Sequence, residues 1–181
     1  MKKIIFLVLI TFIAISGAFA QFRIDLAIDV PVKIGVSISD LDGGSSNESI
    51  DVLEFGTFPV PEALFAYQTN LGPVKVGGGI RVFSLILESV AWPHIYAELD
   101  LSPIVINAGI GGGGFLVFGL FNDANTGNLF IPDMHIAYKF GDTFRLGIGA
   151  IGFIGSDIGP DAFPYMIYLT GRFSILFDKY K

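Results

Sequence analysis

From Phe22 to Ile38 every even position is apolar, while the odd positions are Arg23, Asp25, Ala27, Asp29, Pro31, Lys33, Gly35 and Ser37. Side chains alternate faces along a strand, so this period of two predicts a β-strand with one greasy face and one charged or small face. The same alternation returns near residues 62–70, 74–87, 91–101, 103–118, 129–140, 144–155 and 162–177, making eight strands. Pro31 interrupts the first of them. It marks either a bulge or a strand start near Val32, because proline donates no hydrogen bond to a ladder.

The connections alternate in length. Asn70–Pro73, Leu101–Pro103 and Gly141–Thr143 are tight and rich in turn formers. Ser39 to about Pro61, Asn122–Asn128 and Ser156–Asp161 are longer, with one short connection near Ser89. Returning strands open on a proline (Pro61, Pro93, Pro132, Pro164), at spacings of 32, 39 and 32 residues. Outgoing strands share an apolar-basic-apolar-Gly run, as in Val32-Lys33-Ile34-Gly35, Val74-Lys75-Val76-Gly77 and Phe144-Arg145-Leu146-Gly147. A repeated hairpin explains both signatures. Short turns at one end and longer loops at the other suit an up-and-down barrel whose ends face different compartments.

Two barrels fit such a pattern: a soluble secreted ligand-binding barrel with its grease inside, and a membrane barrel with its grease outside. The charged face also carries Gly77, Gly79, Gly109, Gly111, Gly113, Gly147 and Gly149, whereas the other face carries Phe22, Ile24, Phe65, Ile80, Ile148, Phe173 and Phe177. The interior of an eight-stranded barrel is only just wide enough for side chains, so small residues beside long charged ones belong inside. The predicted fold is therefore an all-β, eight-stranded, antiparallel up-and-down transmembrane β-barrel. Lumen parity selects Arg23, Asp25, Asp29, Lys33, Glu62, Lys75, Arg81, Glu98, Asp100, Asp133, Lys139, Arg145 and Arg172 as an ionic network. Burial there disfavours any charge left unpaired. No strand charge falls on the opposite face, as expected where a basic residue facing mid-bilayer lipid costs ~2–4 kcal/mol.

Ile104–Phe121 has Asn107 as its one polar residue and is nearly long enough for a spanning helix. Its glycines, including Gly111 to Gly114, argue for a strand, since each costs about 1 kcal/mol against Ala in a helix. Aromatic girdles are predicted from Phe140, Phe144, Phe173 and Phe177 near the turn end and from Trp92, Phe121, Phe130 and Phe163 near the loop end.

Composition agrees with a lipid-facing surface: 52% of the chain is hydrophobic and 15% charged. Met1-Lys2-Lys3, the apolar run Ile4–Ile15 and Ala18-Phe19-Ala20 before Gln21 predict a cleaved signal peptide over 1–20 and a single barrel domain over 21–181. That domain holds nine basic and seventeen acidic residues, a net charge of −8 that argues against a nucleic-acid partner. With no cysteine, no disulfide and no lipidated N-terminus can form. Leader and barrel together point to the outer membrane of a diderm, Gram-negative-type bacterium.

These features, with the terminal strand Thr170–Phe177 and the run Gly141-Asp142-Thr143-Phe144-Arg145-Leu146-Gly147-Ile148-Gly149, resemble the small eight-stranded outer-membrane barrels of the OmpX, OmpW and OmpA-barrel type. The chain departs from that pattern in ending Phe177-Asp178-Lys179-Tyr180-Lys181, without a terminal Phe. The resemblance implies outer-membrane lipid as the immediate partner. Eight-stranded barrels of this resemblance include enzymes that modify lipid A with a His and a Ser. Here His94 and His135 share lumen parity and neither stands in a His-x-Ser arrangement, so no catalytic residue is assigned.

Asp133-Met134-His135 supplies two ligand types on one face, too few to close a metal site. Asp40–Asp51 departs from a calcium loop at Gly44 and Ser45 and lacks the final Glu. No metal and no cofactor are expected. The predicted function is that of a non-enzymatic outer-membrane barrel with a charge-filled lumen. Its loops 39–61 and 122–128 would make surface contacts, the first through apolar residues such as Ile50, Val52, Leu53, Phe55 and Phe58. The alternative function is a narrow channel or lateral path for small apolar solutes.

Overall fold

The computed structural model describes residues 21–39, 45–51, 58–84, 87–120, 125–127, 129–155 and 162–177; the predicted leader and Phe121 lie outside them. Eleven strands occur among the described residues: β1 (Gln21–Ser39), β2 (Ser45–Asp51), β3 (Val60–Leu71), β4 (Val74–Ser84), β5 (Glu88–Asp100), β6 (Ile104–Gly112), β7 (Phe115–Gly119), β8 (Asn125–Gly127), β9 (Phe130–Phe140), β10 (Phe144–Gly152) and β11 (Ala162–Phe177). Eight of them form the wall, in the order β1, β3, β4, β5, β6, β9, β10, β11, each antiparallel to the next. Pairing of β11 with β1 closes it. Closure leaves the wall no free edge, the condition for exposing a sheet to hydrocarbon.

Tight turns join β3 to β4, β5 to β6 and β9 to β10. Gly72 (φ +66°) and Gly141 (φ +71°) adopt left-handed backbone in two of them, where a Cβ would be strained. The eight wall strands match the eight alternating segments.

The differences lie at the loop end. The first strand is continuous through Pro31, and its register against β11 shifts between Pro31 and Lys33, so the proline marks a bulge. The connection 39–61 contains β2, which extends the β1 ladder by pairing Lys33–Ser39 with Ser45–Asp51. The segment 103–118 is two strands, because Gly112 (φ +121°) and Gly113 (φ +78°) turn the backbone out of the ladder. Beyond them β7 pairs with β5 and with β8. No helix among the described residues is long and apolar enough to cross a membrane, and Ile104–Gly112 is strand.

Burial follows the period of two, with polarity inverted relative to a soluble protein. Arg23 and Arg81 are 1% exposed, while Ile95 is 63%, Ile148 51% and Leu169 47% exposed. Along β5, Trp92, His94, Tyr96 and Glu98 are buried, and the residues between them face outward. Inward glycines lie under inward rings from the neighbouring strand. A Cβ on Gly77 would meet the Tyr96 ring at 2.6 Å, and Gly111 and Gly149 lie likewise beneath Trp92 and Tyr168. Rings lying over glycines are a packing that suits a strongly curved wall.

Candidate functional site

The inner face divides into two layers. Toward the turn end, Arg23 donates Nε and Nη2 to the two carboxylate oxygens of Asp25, both at 2.7 Å, and Nη1 to Glu98 at 2.8 Å and to Gln68 Oε1 at 3.0 Å. Glu98 also accepts from Arg145 at 2.6 Å and from Lys75 at 3.1 Å. Lys75 and Lys139 meet at Asp100, at 3.1 and 2.8 Å, on the partly exposed rim. The Tyr96 hydroxyl donates to Gln68 at 3.1 Å, and Arg23 lies 5.4 Å from the centre of the Tyr96 ring.

Further toward the loops, Arg81 bridges Glu62 at 2.8 Å and Asp133 at 2.6 Å. Arg172 joins the two groups, reaching Glu62 at 2.9 Å and Asp25 at 3.5 Å. Cross-strand neighbours set these distances: Lys75 faces Glu98, Arg145 faces both Lys139 and Arg172, and Ala27 stands between Glu62 and Arg172. The buried carboxylates Asp25, Glu62, Glu98 and Asp133 each carry at least one ion pair. Such pairing offsets the desolvation of burying them.

Two of the residues named by parity stand apart from this web. Lys33 lies beyond the bulge, level with Ile167 and opposite Asp51 of β2, so it is above the network rather than in it. Asp29 is fully buried yet makes no ion pair among the described residues.

Above Arg81 the inner face turns apolar. Val60, Phe83, Trp92, Ile131, Ile151 and Tyr168 form a buried cluster, with Val90, Phe115, Leu129, Phe153 and Met166 packed against it. Trp92 is therefore no girdle residue. It is 2% exposed, stacks edge-on against Phe83 at 5.1 Å, and takes Arg81 at 5.9 Å from its ring centre. The reason is parity: Trp92 shares its face with His94 and Glu98. The layer was legible in the same way, since Phe83 follows Arg81, Val60 precedes Glu62 and Ile131 precedes Asp133 at spacings of two.

The other described girdle residues lie on the outer wall or at its margin. Phe130, Phe140, Phe163, Phe173 and Phe177 are exposed and Phe144 half-buried. At the turn end Tyr138, Phe140, Phe144 and Phe173 form a chain with centroid spacings of 4.9, 5.9 and 4.8 Å. Phe22 sits between Tyr67 and Phe177 at 5.3 and 5.8 Å. Aromatic rings at a barrel rim suit a membrane interface.

The histidines belong to the lumen. His94 Nε2 is 3.7 Å from Asp133, and neither its Nδ1 nor either nitrogen of His135 has a hydrogen-bond partner. Among the described residues no nucleophile is hydrogen-bonded to these nitrogens. The inward Ser174 instead accepts from Arg23 at 3.3 Å. The inner face is thus ionic toward the turn end and apolar toward the loop end.

No family model matches the chain, and no curated protein does. Among solved structures it is similar to small outer-membrane barrels. The N-terminal β-barrel domain of Pseudomonas aeruginosa OprF matches at 10% identity over 86% of this chain and 99% of that one, with a TM-score of 0.45. Neisserial surface protein A matches at 10% identity over 84% and 96%, also at 0.45. The outer membrane protein OprG from Pseudomonas aeruginosa matches at 11% identity over 86% and 96%, at 0.35.

Proposed function

We propose that this chain is an outer-membrane β-barrel, exported through a cleaved leader over 1–20, that serves without enzymatic activity. Its lumen acts as a structural plug, and its loop end, carrying the β1–β2 and β7–β8 extensions, makes contacts at the cell surface. One observation carries the reading: a closed wall whose outer face is a continuous field of half-exposed Leu, Ile and Phe, around an interior of buried ion pairs. Water does not stabilise such an outer face, and hydrocarbon does. The two layers of buried inward side chains support a structural role over transport.

The test is expression of the full chain in a diderm host, followed by membrane fractionation. The protein is expected in the outer-membrane fraction, beginning at Gln21, with faster gel mobility unheated than boiled. Recovery as a freely soluble monomer with one mobility would refute it.

A further inference from the structure

Among the fully buried groups of the lumen the charges do not balance. Four arginines (Arg23, Arg81, Arg145, Arg172) are buried against five carboxylates (Asp25, Asp29, Glu62, Glu98, Asp133), leaving one negative charge in excess. The compensating positive charge lies at the partly exposed turn-end rim, where Lys75 reaches Glu98 and Asp100 and Lys139 reaches Asp100, several residues along the wall from Asp29. Asp29 is the one buried carboxylate without an ion pair among the described residues.

Its surroundings show what would suit it. Asp29 is opposite Thr170 across the β1–β11 seam, and Tyr168 is opposite Pro31 on the same inner face. Asp29, Thr170 and Tyr168 are 0%, 2% and 0% exposed. Neither carboxylate oxygen of Asp29, nor Thr170 Oγ1, nor the Tyr168 hydroxyl has a well-formed hydrogen bond. Glu62 from β3 and Arg172 from β11 also face Asp29, with Glu62 and Thr170 close enough to share a hydrogen bond with it, while Arg81 and Asp133 lie near Tyr168. Arg172 is engaged with Glu62 and Asp25, and both oxygens of Glu62 are taken by Arg172 and Arg81.

We propose that Asp29, Thr170 and Tyr168 form a buried site for a hard monovalent cation, Na⁺ or K⁺, on the inner face of the β1–β11 seam. The donors are all oxygens, which suits an alkali cation and not a soft metal. One carboxylate without an ion pair matches a single positive charge and falls short of what a divalent ion needs. A bound cation would tie together the first and last strands, where the barrel closes.

The inference concerns the barrel interior and does not depend on where the protein resides in the cell, so detergent-folded protein tests it separately. Thermal unfolding is followed by gel mobility in NaCl, KCl or N-methyl-D-glucamine chloride at equal ionic strength. Na⁺ or K⁺ is expected to raise the wild-type midpoint by roughly 5 °C with saturable dependence. The near-isosteric Asp29→Asn should fold and show equal midpoints in all three salts, and Thr170→Val should show a weakened response. Equal wild-type midpoints in the three salts would overturn the proposal, because Asp29 is then satisfied by a proton or water. A full cation response persisting in Asp29→Asn would overturn it too, by placing the ion on the acidic surface.

Discussion

Glu98→Ala is expected to destabilise the folded barrel by about 3–5 kcal/mol, the usual cost of removing one member of a buried ion cluster. Glu98 is fully buried and holds Arg23 at 2.8 Å, Arg145 at 2.6 Å and Lys75 at 3.1 Å. Its loss leaves three cations facing one another in a narrow lumen, with Asp25 and Asp100 the remaining nearby acids. Against a total stability of roughly 5–15 kcal/mol for a typical domain, that is a large fraction. Urea unfolding in detergent or lipid vesicles measures it. Glu48→Ala, on the exposed surface of β2, serves as control and should stay within about 0.5 kcal/mol of the parent. A Glu98→Ala cost below about 1 kcal/mol would mean that the network contributes little. In planar bilayers the wild type is expected to give no steady conductance; stable channels abolished by altering Arg81 or Arg145 would replace the plug with a pore.

Ile148→Arg is expected to cost about 2–4 kcal/mol in a bilayer. Ile148 is central in β10, flanked on the outer wall by Ile136 and Leu169, and half-exposed. A guanidinium there must either enter hydrocarbon or snorkel a long way to the interface. The same substitution at Leu71, at the turn-end rim, should cost about 1 kcal/mol or less, since the penalty falls off toward the interface. Refolding into vesicles followed by urea titration gives both values. A soluble barrel predicts the opposite, with Arg harmless at either position.

The wall was legible because a period of two survives over long segments and a closed barrel obeys it on every strand. Turn chemistry at Gly72 and Gly141 fixed the tight end. The loop end was less legible for identifiable reasons. Ser45–Asp51 is mostly polar, and its strand conformation comes from pairing with the overhang of β1 rather than from a face to bury. Phe115–Gly119 continues the apolar run of β6, so only the backbone turn at Gly112 and Gly113 separates it.

For the site, parity named the positions, but position along the axis decided their roles. Lys33 has an inward parity and lies too far toward the loops to meet the carboxylates. Trp92 has the composition of a girdle residue and the parity of the lumen, and parity prevails because a side chain's face is fixed by the backbone while its preference for an interface is weak. Gln68, Tyr96 and Ser174 join the network without any charge to announce them. Their shared face with charged neighbours was the available signal.

The sidedness of the wall is directly measurable, because the chain has no cysteine. Single cysteines at Leu26, Ile95, Ile148 and Leu169, spin-labelled in bilayer-reconstituted protein, report whether lipid-soluble oxygen or a water-soluble nickel chelate reaches them. All four are expected to be open to oxygen and closed to the chelate. Ready collision with the chelate at these positions would place water against the apolar face and contradict the account.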